Sequence, residues 1–171
     1  MKVLVMSDNH GRWQKVQEII TKNRPYVDYI IHCGDSEFPA DDPIWDQVDS
    51  VVSGNMDYDP QYRQLDTLGT KEEKFLNVHG HRHNVNHSLN ELGQLAQSNH
   101  ANFVFYGHTH KLAHDYHNGC LFLNPGSLSR SRGINPEKTY AIVTIDSETI
   151  QIKYYNDEHQ RIDRLTAIYK R

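Results

Sequence analysis

Lys2-Val3-Leu4-Val5-Met6-Ser7-Asp8-Asn9-His10 is the stretch that decides the fold. Lys2 to Met6 is a short apolar run, the form of a buried strand. Ser7 to Gly11 then turns. Trp13, Val16, Ile19 and Ile20 follow at helical spacing, which predicts a helix from Arg12 to about Lys22 lying on the sheet. The same grammar recurs downstream. Tyr29 to Cys33 is a second apolar strand that ends in Gly34-Asp35. Val48 to Val52 is a third, ending in Ser53-Gly54-Asn55. A strand-helix-strand opening argues for a mostly parallel sheet with crossovers.

Further along, Tyr62 to Leu68 and Glu73 to Val78 flank Gly69-Thr70 and read as a hairpin. Ser88 with Glu91 has the form of a capping box, opening a helix with Leu89, Leu92, Leu95 and Ala96 on one face. Phe103 to Tyr106 is another strand. Beyond Lys111 the chain reads as short strands at His114 to Tyr116, Cys120 to Leu123, Tyr140 to Ile145 and Ile150 to Tyr155. Turns at Asn118-Gly119 and Asn124-Pro125-Gly126 separate them. The second half is therefore expected to be mostly antiparallel. No repeat, linker or low-complexity stretch interrupts it, so residues 1–171 are expected to form one domain.

Composition narrows the partners. The chain has 171 residues, 37% apolar and 23% charged, with a formal net charge of -4. No basic stripe is visible, so nucleic acid is expected only as a substrate. No apolar run approaches the ~20 residues of a membrane span, and Met1-Lys2-Val3 opens into a strand rather than a signal peptide. Cys33 and Cys120 both sit in apolar runs, which suggests free thiols in a reducing cytoplasm.

The strand ends carry the chemistry. Ligands in open α/β sheets lie beyond the carboxyl ends of the strands. Asp8-Asn9-His10, Gly34-Asp35, Gly54-Asn55, His79-Gly80-His81 and Gly107-His108-Thr109-His110 all fall at such ends. Taken singly, each can be a polar turn. Taken together they bring Asp, Asn and His from distant segments to one edge. Hard oxygens with imidazole nitrogens, and no thiolate, suit Mn, Fe, Co, Ni or Zn. Two such ions sharing a carboxylate suit hydrolysis of a phosphate ester, with a hydroxide held between them.

This ordered set, with Gly54-Asn55-Met56-Asp57 and Asn124-Pro125-Gly126-Ser127, resembles the calcineurin-like metallophosphoesterases. Its likeness is closest to their small bacterial and archaeal phosphodiesterase branch. The resemblance implies an α/β (α+β) fold, a four-layer α-β-β-α sandwich of two mixed sheets. It implies that Asp8, His10, Asp35 and His110 hold one divalent metal, and that Asp35, Asn55, His79 and His108 hold the other. Asp35 would bridge, and manganese stands first among the candidate metals. It implies hydrolysis of a small phosphodiester, and self-association into dimers or larger homo-oligomers. Many members of the wider family have a His where this chain has Met56, and a thioether cannot donate a proton. Asp57 remains beside it, and His81 is the candidate substitute acid. His83 completes an alternating His run like that of metallo-β-lactamase-type hydrolases, but Arg82 stands where their motif has Asp. Arg130 and Arg132 are read as a solvated loop, with contact to a substrate phosphate as the alternative, and His32 as a structural residue, with support of a ligand as the alternative. The alternative function is a protein-binding scaffold that keeps the fold, and the intact ligand set favours the enzyme.

Overall fold

The computed structural model describes all residues, Met1–Arg171. Strand β1 (Lys2–Met6) pairs in parallel with β2 (Tyr29–His32), setting Leu4 opposite Ile30 and Met6 opposite His32. A parallel pair needs a long crossover, and α1 (Trp13–Asn23) supplies it. Val16, Ile19 and Ile20 are buried on its inner face. Trp13 stays 39% exposed, its indole N–H given to Asp42. The third strand is shorter than its apolar run suggests: β3 is only Ser50–Val51. A 3-10 turn at Pro43–Gln47 ends by drawing the Val48 N–H onto the Trp45 carbonyl, so Val48 is not free to pair.

β4 (Leu65–Gly69) and β5 (Lys74–Val78) form the expected hairpin. Helix α2 runs Asn90–Ser98 and buries Leu92 and Ala96. Its start corrects the capping-box reading. Ser88 makes no side-chain cap, its own N–H is taken by the Asn84 carbonyl, and the helix takes Leu89 as its N-cap. β6 (Phe103–Phe105), β7 (Ala113–His117), β8 (Cys120–Asn124), β9 (Thr139–Ile145) and β10 (Thr149–Asn156) follow. A last strand, β11 (Ala167–Lys170), lies beyond the strands read from the sequence.

The strands make two mixed sheets, ordered β11-β10-β9-β1-β2-β3 and β4-β5-β6-β8-β7. The strands of the second half of the chain pair mostly antiparallel, β7 with β8, β9 with β1 and β10, and β10 with β11, while β5 pairs with β6 and β6 with β8 in parallel. Helix α2 makes the first crossover. The loop carrying Gly107-His108-Thr109-His110, with edge strand β7, makes the second. Between the sheets lies a core that includes Val3, Val5, Ile31, Phe75, Phe105, Leu123, Val143 and Tyr154. Outside the first sheet, Leu4, Met6 and Ile30 pack on Val16, Ile19 and Ile20 of α1. Outside the second, Leu76, Val78 and Val104 pack on Leu92 and Ala96 of α2. The result is a four-layer α-β-β-α sandwich. Cys33 and Cys120 are free thiols, Cys33 buried and Cys120 half-buried. No helix is long and apolar enough to cross a membrane.

Candidate metal centre

The turns after β1, β2 and β3 come from one sheet, and those after β5 and β6 from the other. They meet at one edge. Left-handed backbone is costly for residues with a side chain and gathers at functional sites. Here Asp8 (φ 55), His10 (φ 42), Asp35 (φ 55), His108 (φ 68) and His110 (φ 57) all adopt it. Each tight turn throws a polar side chain back over the end of its strand. Two glycines let the turns close on one another. A Cβ on Gly54 would overlap the Asp35 carboxylate, and one on Gly107 would overlap Ser7 Oγ and stand 2.6 Å from Asp8 Oδ2.

The imidazoles share one orientation. His79 donates Nδ1–H to the Cys33 carbonyl at 2.7 Å, and His110 donates Nδ1–H to the Arg130 carbonyl at 2.9 Å. His10 Nδ1 lies 2.7 Å from Glu37 Oε1. All three acceptors are oxygens, so each ring carries its proton on Nδ1 and turns a bare Nε2 inward. Ligand histidines are fixed in this way. The carboxylates are similarly split. Asp8 Oδ2 accepts from the His108 amide at 3.1 Å, and Asp35 Oδ1 from the Met56 amide at 2.8 Å. The other oxygen of each faces the histidines. Asp8 Oδ1 stands 3.2 Å from His110 Nε2, and Asp35 Oδ2 stands 3.3 Å from His79 Nε2 and 3.8 Å from His10 Nε2.

These atoms fit a cation. Asp8, His10, Asp35 and His110 each offer a ligand atom, all within 4.8 Å of one another. Asp8 Oδ1 and His79 Nε2 are buried with no hydrogen-bond partner. Buried polar atoms left unpaired are expensive, and a site built around them implies something that pairs with them. His10 Nε2 and His110 Nε2 are 3.2 Å apart, and with both protons on Nδ1 only a cation or an added proton relieves that contact. Asn55 and His108 complete the group through a 3.0 Å contact between Asn55 Oδ1 and His108 Nδ1, and the His108 and His79 rings meet edge to face at 5.3 Å. Burial by itself would raise the Asp35 carboxyl. A protonated His79, whose Nε2 stands 3.3 Å away, and the Met56 amide outweigh it and hold Asp35 at about 2. Burial would lower His79, but Asp35 and Asp8 raise it.

The remaining site residues fall into place around this centre. Both Asp57 oxygens are used: Oδ2 accepts from the Asp35, Ser36 and Gly54 amides and Oδ1 from the Glu37 amide and the Ser36 hydroxyl. It pins two ligand loops and has no free lone pair directed at a substrate. His81 accepts from Arg82 Nε at 3.3 Å on its Nε2, which leaves its proton on a buried, unpartnered Nδ1. Burial, with His79, Arg82 and His108 adding to it, pushes His81 down to about 4. His83 lies two residues further, and its Nδ1 is also unpartnered. His32 touches no ligand side chain. It accepts from the Gly34 amide and donates to Asn9 Oδ1, bracing the turns that carry Asp8 and Asp35. Three contributors left no trace in the motif pattern: Glu37, and the carbonyls of Cys33 and Arg130. The NPGS loop also works through its polar atoms. Asn124 Nδ2 donates to the Gly107 carbonyl and Ser127 Oγ to the Asp8 carbonyl.

A two-sheet sandwich with a carboxylate–imidazole cluster across its strand ends defines a class of metal-dependent phosphoester hydrolases. The chain belongs to the calcineurin-like phosphoesterase superfamily, whose domain model matches residues 1–148. It is 31% identical over 165 residues, 96% of either chain, to the probable metallophosphoesterase YsnB of Bacillus subtilis (strain 168). A conserved uncharacterized protein of Streptococcus pneumoniae TIGR4, described as a predicted phosphoesterase, superposes with a TM-score of 0.95 at 34% identity. That match covers 99% of this chain and 97% of the other. Vacuolar protein sorting 29 of Cryptosporidium parvum shares the fold, with a TM-score of 0.73 at 19% identity over 99% and 96% of the two chains.

Proposed function

We propose that this phosphoesterase is a two-metal phosphodiesterase with manganese as its working ion. The observation that supports this most is the inward Nε2 of His10, His79 and His110 around the free oxygens of Asp8 and Asp35. Asp8, His10 and His110 would hold one cation, and Asn55, His79 and His108 the other, with Asp35 common to both. Bound there, divalent cations lower the pKa of water toward ~7 and take up charge that builds on the phosphate oxygens. The protein's own part is placement. Glu37 and the Cys33 and Arg130 carbonyls fix the imidazole tautomers. Asp57 locks the loops that carry Asp35, Asn55 and Glu37. His81, beside His79 and His108, is the candidate hydrogen-bond donor to an ester oxygen, a role that requires its ring to turn, because Nδ1 is buried here and Nε2 accepts from Arg82.

The test is turnover of bis(p-nitrophenyl) phosphate by protein reconstituted with manganese, with a chelator control and elemental analysis. The expected result is about two equivalents of metal and chelator-sensitive turnover. Metal-loaded protein without turnover on any phosphate ester would leave a non-catalytic binding scaffold as the function.

A further inference from the structure

We propose that Phe38, Pro39, Met56 and Tyr58 form a subsite for an uncharged planar ring carried by the phosphate ester, an aryl group or a nucleobase. The proposal rests on the phosphodiesterase reading and narrows its substrate class. Residues 37–39 and 56–58 line a cleft of about 290 Å³. Both walls begin at the metal centre. On one, Glu37 Oε1 lies 2.7 Å from His10 Nδ1. On the other, the Met56 amide donates to Asp35 Oδ1 at 2.8 Å, one residue after Asn55. Asp57 ties the walls together by accepting from the Glu37 and Gly54 amides, at 2.7 and 2.8 Å. The cleft is therefore fixed in position relative to a phosphate held at the centre.

The lining then selects what can lie there. Tyr58 is 81% exposed and Met56 37% exposed, two of the few large apolar side chains that face water on this molecule. The Tyr58 hydroxyl rests 3.8 Å from Met56 Sδ, so the two make one ledge. Aromatic faces and thioethers both pack well on flat rings. The charged lining groups are Glu37 and Asp57, and no Lys or Arg joins them. A second phosphate would be repelled. Of the two carboxylates, Asp57 has both oxygens engaged and Glu37 is committed to His10, which leaves little to attract a free cationic headgroup.

Binding distinguishes these cases without relying on turnover. The probes are the phenyl, ethyl and choline esters of methylphosphonic acid, each with the single negative charge of a diester at phosphorus (the choline ester adds its own cation). They are titrated calorimetrically into manganese-loaded protein, and phosphorus NMR of each titrated sample checks that the ester is intact. The phenyl ester should bind about tenfold more tightly than the ethyl ester, in line with base–aromatic stacking. Tyr58→Ala should abolish that difference while leaving ethyl-ester affinity and metal content unchanged, and Tyr58→Trp should keep it. Equal binding of phenyl and ethyl esters by the native protein would overturn the proposal. So would tightest binding of the choline ester, or a phenyl preference that survives Tyr58→Ala. Failure of the phosphodiesterase reading shows separately, as absent turnover of bis(p-nitrophenyl) phosphate with the ring preference intact.

Discussion

Asp57 shows how far one residue's role can lie from its place in a motif. It sits where an acid or its partner would be sought, yet its carboxylate accepts from four backbone amides and one hydroxyl. Hydrogen bonds to a charged group are each worth ~1.5–3 kcal/mol, and losing the acceptor strands the donors. Asp57→Ala should therefore lower unfolding stability by ~3 kcal/mol and weaken metal binding with it. Asp57→Asn should do nearly as badly, because its NH2 would face amide N–H groups. Denaturant unfolding checks both, and unchanged stability would return Asp57 to the reacting groups. At His81 the expectation differs. A ring N–H that steadies an ester oxygen helps most when the leaving oxygen is basic, so His81→Ala should slow alkyl esters more than nitrophenyl esters. An equal loss on both, together with lost metal, would make His81 a support for its neighbour His79. The candidate ligand residues stand out in the sequence because each follows a strand and its type has few other uses there, and the structure brings them to one edge. Glu37 and the Cys33 and Arg130 carbonyls do not stand out. A backbone carbonyl has no residue signature, and Glu37 gains its meaning only from His10, across the turns.

Among the elements, the glycines at the strand ends decide whether the loops can meet. Gly54 has no room for a Cβ against Asp35, and Gly107 none against Ser7 and Asp8. In Gly54→Ala the strands can still pair and the core between the sheets is untouched, so the fold should survive. The Asp35 carboxylate must move, and manganese affinity should fall at least tenfold by calorimetry. Native affinity in that variant would mean the loops have slack that the close packing denies. The elements were readable where burial sets the pattern, as in β1, β2, α1 and the β4–β5 hairpin. They were misread where tertiary contacts outrank local signals. Ser88 makes no cap, since it belongs to the turn that its N–H closes on the Asn84 carbonyl and the helix takes Leu89 as its N-cap; Val85 in that turn packs beside Gly80. β11 alternates half-buried Ala167 and Tyr169 with exposed Ile168 and Lys170, too short and weak a pattern to stand out before its pairing with β10 is known. The parallel pairing of β6 with β8 depends on which strand takes the edge, and no local pattern states that.

Across the whole molecule, the centre is where two sheets are joined at their ends, and stability should respond to both pH and metal. His32 is buried, and burial pushes it down to about 4 against the raising effect of Asp57 and Asp8. Its Nδ1 accepts from the Gly34 amide, so protonation would set two N–H groups against each other. The unfolded value is near 6.5 and the folded value lies below it, so the stabilisation is full above pH 6.5 and is lost as pH falls toward 4. That loss should reach ~3 kcal/mol for the metal-free protein at full protonation, and unfolding titrations from pH 7 to 4 measure it. A flat profile would mean His32 is not held neutral. Metal should act in the opposite direction and through the same seam. Asp8, His10, Asp35 and Asn55 come from the first sheet, while His79, His108 and His110 come from the second. Cations bound among them would cross-link layers that otherwise meet through apolar packing. A ligand that binds only the folded state stabilises it by ~2.7 kcal/mol at a hundredfold excess over Kd. For a chain of this length that corresponds to a rise in Tm of ~5–10 °C. Manganese should raise the melting temperature by that amount and chelator should reverse it. Asp35→Asn, which removes the shared charge, should abolish most of the shift, whereas His110→Ala should keep part of it through the second ligand set. Equal losses from the two variants would mean that Asp35 does not serve both cations, and no shift in the native protein would mean that metal does not hold the two sheets together.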